Sequence, residues 1–315
     1  MSVSCTPAAA RAEPSFSVVV TNYNYERYVR EAVDSALAQT LPPLEIVVVD
    51  DGSTDGSRAL LQSAYGAHPK VRLLFQDNGG VLRAFRNGVS ACQGEVICFL
   101  DADDLWLPGH LEALARAYRS VPAPDFVFTN LRYTGLREGL CLSPREDRDL
   151  GLTALATVFL RGWYGAPTSA LSLKRELALR VLDLPQDFDP DWLNCTDNVL
   201  IHGAGILGAH KKFLAAPTVL YRIHGQNDSL ARRANPLHDL RHLYRVQRLI
   251  AHYARARGFD RESLRLVKDE FKTKPQPTAQ DLKVYLRLVW RSPYGLFKRL
   301  ELSVSLLARY CGWRR

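Results

Sequence analysis

Five short runs rich in β-branched residues recur through the first 135 residues: FSVVVT (16–21), LEIVVVD (44–50), VRLLFQ (71–76), EVICFLD (95–101) and DFVFTN (125–130). Between them lie stretches of helical periodicity, YERYVREAVDSALAQ, STDGSRALLQSAYG, GGVLRAFRNGVSA and PGHLEALARAYRS. In the first of these, Tyr28, Val29, Ala32, Val33, Ala36 and Leu37 recur at i, i+3 and i+4, which gives one apolar face. Strands apolar on both faces that alternate with helices need a sheet covered on both sides, and a parallel α/β arrangement supplies it. An α/β fold is therefore expected.

In such sheets, ligands bind beyond the carboxyl ends of the strands. The segments that follow the strands here are TNYNY, DDGSTDGS, DNGG and DADDLW, all polar and rich in Asp, Asn and Gly. One rim should therefore carry Asp50, Asp51, Asp101, Asp103 and Asp104. Carboxylates gathered at one edge repel each other unless protons or a cation neutralise them. Hard oxygen ligands suit Mg²⁺ or Mn²⁺, typically held by one or two carboxylates and by substrate phosphates. The competing reading of DADD is an acidic cap on the helix beginning near Pro108. DDGSTDGS likewise reads either as an Asp–Gly turn capping a helix or as a carboxylate, Asp51, that accepts from a base N–H edge such as uracil N3–H.

Past residue 135 the pattern loosens. Residues 136–165 read as a loop plus a short helix, TSALSL as a strand, KRELALRVL as a helix and PQDFDPDW as an acidic loop. An apolar helix starts near Thr196–Asp197, and PTVLYRIH reads as a strand. Three helices close the chain: one marked by Leu237, Leu240, Leu243, Tyr244 and Ile250, one over 279–291, and one over 294–310. Residues 1–15 lack the basic and apolar regions of a secretory signal and read as a disordered leader. No apolar run approaches the ~18 to 20 residues of a membrane span. The six cysteines show no CxxC pair or zinc spacing, so neither a disulfide scaffold nor a zinc site is expected, and a reducing cytoplasm fits.

Read together, these segments become specific. VVVDDGS precedes FLDADD by about fifty residues, and VVVTNYNYERYVREAVDSALAQT stands ahead of both. The combination resembles the family 2 glycosyltransferases, near-continuously from Phe16 to about Pro108, and YRIHGQNDS (221–229) resembles the YRxH segment closing many such domains. The resemblance implies a GT-A fold, a mixed and largely parallel sheet flanked by helices. The catalytic domain would span 16–230, with a nucleotide-binding half (16–135) and an acceptor half (136–230), followed by a basic helical extension (231–315).

It implies an inverting, metal-dependent glycosyltransferase that uses a nucleotide sugar, most simply a UDP-sugar, with Mn²⁺ or Mg²⁺ as cofactor. The acceptor would be a glycan or lipid-linked hydroxyl in polysaccharide or glycoconjugate synthesis. Carried over by position, Thr21, Tyr23 and Asp51 would hold the base, Asp50 would support the loop, and Arg83 would approach the donor. Asp104 would be the main metal ligand, with Asp103 near ribose and metal and Asp101 close by. His224 would contact metal or diphosphate, or else be a structural hydrogen-bonder. LNCTDNVLIHGAG matches the stretch that carries the family's Glu–Asp base pair, which points to Asp197, with Thr196 in the Glu position. Asp189 and Asp191 are its substitutes. A second departure is RNG at 86–88, where relatives carry a different helix face.

The alternative is a catalytically silent sugar-nucleotide-binding protein of the same fold. TNYNYE after the first strand is not GxGxxG, which argues against a dinucleotide dehydrogenase. Arg232 to Arg315 carries 20 Lys and Arg against 7 Asp and Glu. With Lys283, Arg287 and Arg291 spaced by four, helix 279–291 is expected either to lie on an anionic membrane at the inner face or to pack on the protein. No nucleic-acid module accompanies the charge.

Overall fold

The computed structural model describes residues 12–225 and 236–313. Most of the expected leader, Cys5 and the end of YRIHGQNDS lie outside the described residues. Four parallel strands form the first part of the sheet: β1 (Phe16–Asn22), β2 (Glu45–Asp51), β3 (Val71–Gln76) and β4 (Val96–Asp101), in the order β3-β2-β1-β4. Helices α1 (Val29–Leu37), α2 (Ser57–Tyr65) and α3 (Val81–Ala91) make the crossovers. The chain steps outward from β1 to β3 and then returns to the opposite side of β1, so the strand order reverses between β1 and β4. Every residue of β1 is buried, as a strand flanked by two neighbours and covered on both faces must be.

The sheet continues through β9 (Leu171–Lys174), β6 (Phe126–Gly135), β10 (Lys211–Ile223) and β5 (Leu105–Trp106). β9 is antiparallel to both β4 and β6, and β10 runs parallel to β6, so the sheet is mixed but largely parallel. Helix α4 (His110–Tyr118) follows β5. Residues 136–165 contain two small strands as well as a helix: β7 (Gly139–Leu140) and β8 (Arg148–Gly151) precede α5 (Ala154–Leu160). TSALSL begins as a 3₁₀ turn (Thr168–Ala170) before becoming β9. After α6 (Arg175–Leu182), the acidic PQDFDPDW segment is a 3₁₀ helix (Gln186–Trp192), and α7 (Asp197–Ile206) follows.

Helix α8 (Pro236–Ala256) forms where the apolar spacing placed a helix. Leu237, Leu240, Leu243 and Tyr244 are exposed, while Val246, Leu249, Ile250 and Tyr253 join the main core. The helix engages α7 with these later turns, so its apolar N-terminal residues project past the contact. The expected boundary at 230/231 therefore does not divide the cores. A second core instead unites α5 with α9 (Val267–Lys272), α10 (Ala279–Arg291) and α11 (Leu296–Trp313), through Leu155, Phe271, Tyr285, Leu288 and Leu306. Polar ties reinforce it: the Glu270 carboxylate accepts from Leu155 N at 2.9 Å and from the Tyr285 hydroxyl at 2.7 Å. Arg148 pairs with Asp281 at 2.7 Å.

The RNG departure has a packing explanation. A Cβ on Gly88 would stand 2.6 Å from Val19 Cγ1 and 3.1 Å from Val49 Cγ2, so the bare glycine lets α3 lie against β1 and β2. Gly88→Ala should cost about 1–3 kcal/mol, measured as a lower urea midpoint at constant m value. Burial also pushes His110 and His202 down to about 3. The unfolded chain then takes up these protons first, so stability falls as pH drops from about 6.5 towards 5, by about 2 kcal/mol per histidine at pH 5. His110→Gln, which keeps a partner for the Thr218 hydroxyl, should shrink that fall in urea titrations at pH 7 and pH 5.

Candidate functional site

Strand register brings the rim together. Thr21 pairs with Asp101, Asn22 with Asp50, and Asp51 with Gln76, so four adjacent strand ends present their polar residues in one row. Asp50 is fully buried and acts as an internal post. Its carboxylate accepts from Asn22 Nδ2 (2.8 Å), Ser53 N (3.1 Å) and Arg58 Nε (2.8 Å). Asn24, in the left-handed region at φ 58°, accepts from Thr54 N at 2.7 Å and so stitches the loop after β1 to the loop after β2. Gly52 has φ +79°, and a Cβ there would meet Asn78 N at 2.5 Å, which explains glycine in DDGS.

Asp51 closes this end. Its Oδ1 accepts from Gln76 Nε2 (2.7 Å) and Gly79 N (2.9 Å), and its Oδ2 from Gly80 N (2.8 Å). The DNGG loop is thus folded around the Asp51 carboxylate. Tyr23 is exposed at the start of the loop after β1, and Arg83 is exposed with its side chain against Gly79.

At the other end, the DADD carboxylates separate into different environments. Asp104 is almost fully buried, with Oδ2 accepting from the Ser169 hydroxyl (2.6 Å) and Oδ1 from Arg222 N (2.9 Å). Each of its oxygens thus accepts one hydrogen bond, which ties the loop to β10 and to the turn before β9 and leaves a further acceptor position on each. Asp103 instead faces His224, whose Nε2 lies 3.1 Å from Asp103 Oδ2. The His224 ring stacks on Tyr28 with centroids 4.9 Å apart, and Arg222 donates from Nε to the Asp103 carbonyl. Burial pushes Asp101 up to about 8, and the charges of Asp103 and Asp197 push it the same way. Asp103 is raised by burial and held back by His224, while burial, Asp103 and Asp101 raise Asp104 well above the carboxylate range. These groups resist carrying full negative charge together unless positive charge arrives.

Asp197 opens α7 and lies close enough to Asp101 to shift it. Its proposed substitutes are engaged elsewhere: Asp189 pairs with Arg86 at 2.5 Å and Asp191 with Arg248 at 2.5 Å. Both pairs pin the 3₁₀ segment to α3 and α8 rather than lining the rim. Thr196, in place of the family's Glu, is buried, and its hydroxyl donates to Trp192 O at 3.2 Å. Sequence reasoning missed Asn22, Asn24, Gln76, Ser169, Arg222 and Tyr28. The two asparagines sit within TNYNY and could have been found there; Ser169 and Arg222 come from distant segments with no local signal. Trp106, buried, anchors the loop by donating from Nε1 to Ser169 O at 2.8 Å.

The profile of Glycosyl transferase family 2 matches residues 17–141. An uncharacterized glycosyltransferase of Nostoc is 35% identical over 68% of this chain and 66% of its own length. Escherichia coli chondroitin synthase is 36% identical over 43% of this chain, which spans only 20% of that protein. Among solved structures, S. aureus TarS 1–349 in complex with UDP-GlcNAc matches with TM-score 0.55 at 17% identity, over 89% of this chain and 82% of its own. The mannosyltransferase PcManGT from Pyrobaculum calidifontis, in complex with GDP-Man and Mn2+, matches with TM-score 0.51 at 19% identity, over 96% and 83%. These structural likenesses establish a shared fold.

The contrast between the two acidic neighbours can be measured directly. Asp104→Ala strips partners from a buried N–H and a buried hydroxyl and should lower stability by about 1–3 kcal/mol. Asp103→Ala relieves repulsion but also removes a partner of the buried His224 ring, so the opposing effects should leave a smaller loss than at Asp104. Urea unfolding at pH 7 without added metal checks both, and equal losses would contradict their separation.

Proposed function

The chain belongs to glycosyl transferase family 2, and on that premise we propose that it transfers a sugar from a UDP-sugar to an acceptor hydroxyl with inversion. One observation carries the reading. Asp51 and the Asp101–Asp103–His224 group stand at the ends of β2 and β4 on either side of β1, with Asp197 in electrostatic reach of Asp101. The first end suits a nucleobase, the second a diphosphate, and Asp197 the acceptor.

Hydrogen-bond capacity favours uracil. A carboxylate offers about four acceptor positions, and Gln76, Gly79 and Gly80 take three around Asp51. One position remains, on Oδ2, which matches the single ring N–H of uracil. Guanine presents two adjacent N–H donors and would call for both oxygens. Tyr23 supplies an exposed ring for stacking beside this position, and Thr21 adds a hydroxyl at the strand end.

Asp104, Asp103, Asp101 and His224 are the side chains proposed to hold Mn²⁺ or Mg²⁺; among the described residues no three of them converge into a preformed cluster, and a hard cation of this kind takes only one or two carboxylates and leaves its other positions to water and phosphate. When bound, the cation supplies positive charge to the departing diphosphate. Asp103 and His224 hold one another in position, Arg222 and Tyr28 fix His224 from behind, and Asp104 holds the loop. Asp197 takes the proton of the acceptor hydroxyl as its oxygen bonds to the anomeric carbon. In the same displacement, on the opposite face, the anomeric carbon–phosphate oxygen bond breaks and the nucleoside diphosphate leaves with that electron pair. The acceptor is proposed to be a glycan or lipid-linked glycan in polysaccharide or glycoconjugate synthesis. The relatedness to a chondroitin synthase supports that reading.

Diphosphate release from a panel of UDP- and GDP-sugars with Mn²⁺, repeated in EDTA, tests these roles. UDP-sugars should be preferred at least about tenfold, and Asp197→Asn should lower kcat by roughly 10²–10⁴ with donor KM little changed. Turnover surviving in EDTA would overturn the metal role. Binding of UDP-sugars with no release for any acceptor would identify a silent sugar-nucleotide-binding protein instead.

A further inference from the structure

Helix α11 carries two apolar faces, and only one is used inside the molecule. Leu302 and Leu306 are buried in the second core. Leu296, Phe297, Leu300, Val304 and Leu307 lie on a different side of the helix and are exposed, Phe297 by 89%, Val304 by 64% and Leu296 by 58%. At 100° per residue they occupy an arc of about 100°, the width of a helix face that seeks an apolar surface. Of the two alternatives for α10, packing on the protein describes its inner face, where Leu282, Tyr285, Leu288 and Val289 join the second core.

The exposed flank of α10 adds to the α11 face. Trp290 is exposed near the end of α10, four residues beyond Leu286 and six before Leu296. Ser292–Gly295 joins the helices, so Trp290, Leu296 and Phe297 gather at one tip. Leu282, Leu286 and Trp290 line a shallow groove of about 420 Å³ whose polar rim is Lys283 and Arg287. Arg291 and Lys298 are exposed at the same tip. An aromatic and aliphatic surface ringed by cations matches the interface of an anionic bilayer, where rings sit at headgroup level and bases meet phosphate. Charge argues against a second copy as the occupant, because 232–315 bears 20 basic and 7 acidic residues and would face an equally basic partner. Among the described residues no helix is long and apolar enough to cross a membrane, so the contact would be lateral.

We propose that the tip of the α10–α11 hairpin and the outer face of α11 dock on an anionic lipid surface, leaving the strand-end site free to work on an acceptor held there. Donor binding and turnover in solution do not depend on this contact, so the two readings fail separately. The test is co-sedimentation of the full chain with vesicles of phosphatidylcholine alone or with about 30% phosphatidylglycerol, at low and high salt. Binding should need the anionic lipid and weaken with salt. It should fall at least about tenfold in Phe297→Glu/Val304→Glu and in Lys283→Ala/Arg287→Ala/Arg291→Ala, with urea midpoints and UDP binding unchanged. Absence of pelleting with phosphatidylglycerol, or pelleting that neither variant weakens, would overturn the proposal. So would a dimer in light scattering that Phe297→Glu/Val304→Glu dissolves while vesicle binding persists.

Discussion

The arrangement depends on the cost of holding several carboxyl groups at one end of a sheet. Asp50, Asp101, Asp103 and Asp104 are withdrawn from water to differing degrees, and each is stabilised by a different means. Asp50 is satisfied by three donors, including the Arg58 guanidinium. Asp104 is tied by a hydroxyl and a backbone N–H. Asp103 leans on an imidazole, and Asp101 is left raised. The surrounding structure follows from these solutions: β10 supplies Arg222 and His224, the turn before β9 supplies Ser169, and Trp106 locks that turn against the loop.

The same principle explains why the two halves of the domain cannot be separated cleanly. The strand ends of β1, β2 and β4 collect the acids, and a chain segment more than a hundred residues later partners two of them. The later half also carries Asp197 into electrostatic reach of Asp101. A loop that takes partners from both halves has this arrangement only in the assembled sheet.

Much of the fold was legible because its cause is local. Period-2 and period-3.6 patterns marked β1 to β4 and their helices, and DDGS, NGG and DADD marked the strand ends. Legibility failed where partners are distant. Leu237, Leu240, Leu243, Tyr244 and Ile250 have helical spacing and do lie on a helix, yet of these only Ile250 is buried, because α8 joins the core through its later turns. Asp189 and Asp191 looked equivalent to Asp197 in one dimension; Arg86 and Arg248, one on each side, divert them.

The sequence by itself determined the α/β class, the rim on which the acids gather and the kinship of the first hundred residues, since periodicity and turn chemistry are written within short windows. Only the tertiary structure decided the surroundings of each carboxylate. Asp103 and Asp104 are adjacent and chemically identical, and the difference between a position facing His224 and one beneath Ser169 and Arg222 exists only after β9 and β10 have packed. It also decided which face of the basic tail is left for a partner, because a helix with two apolar stripes does not announce which of them the core will take.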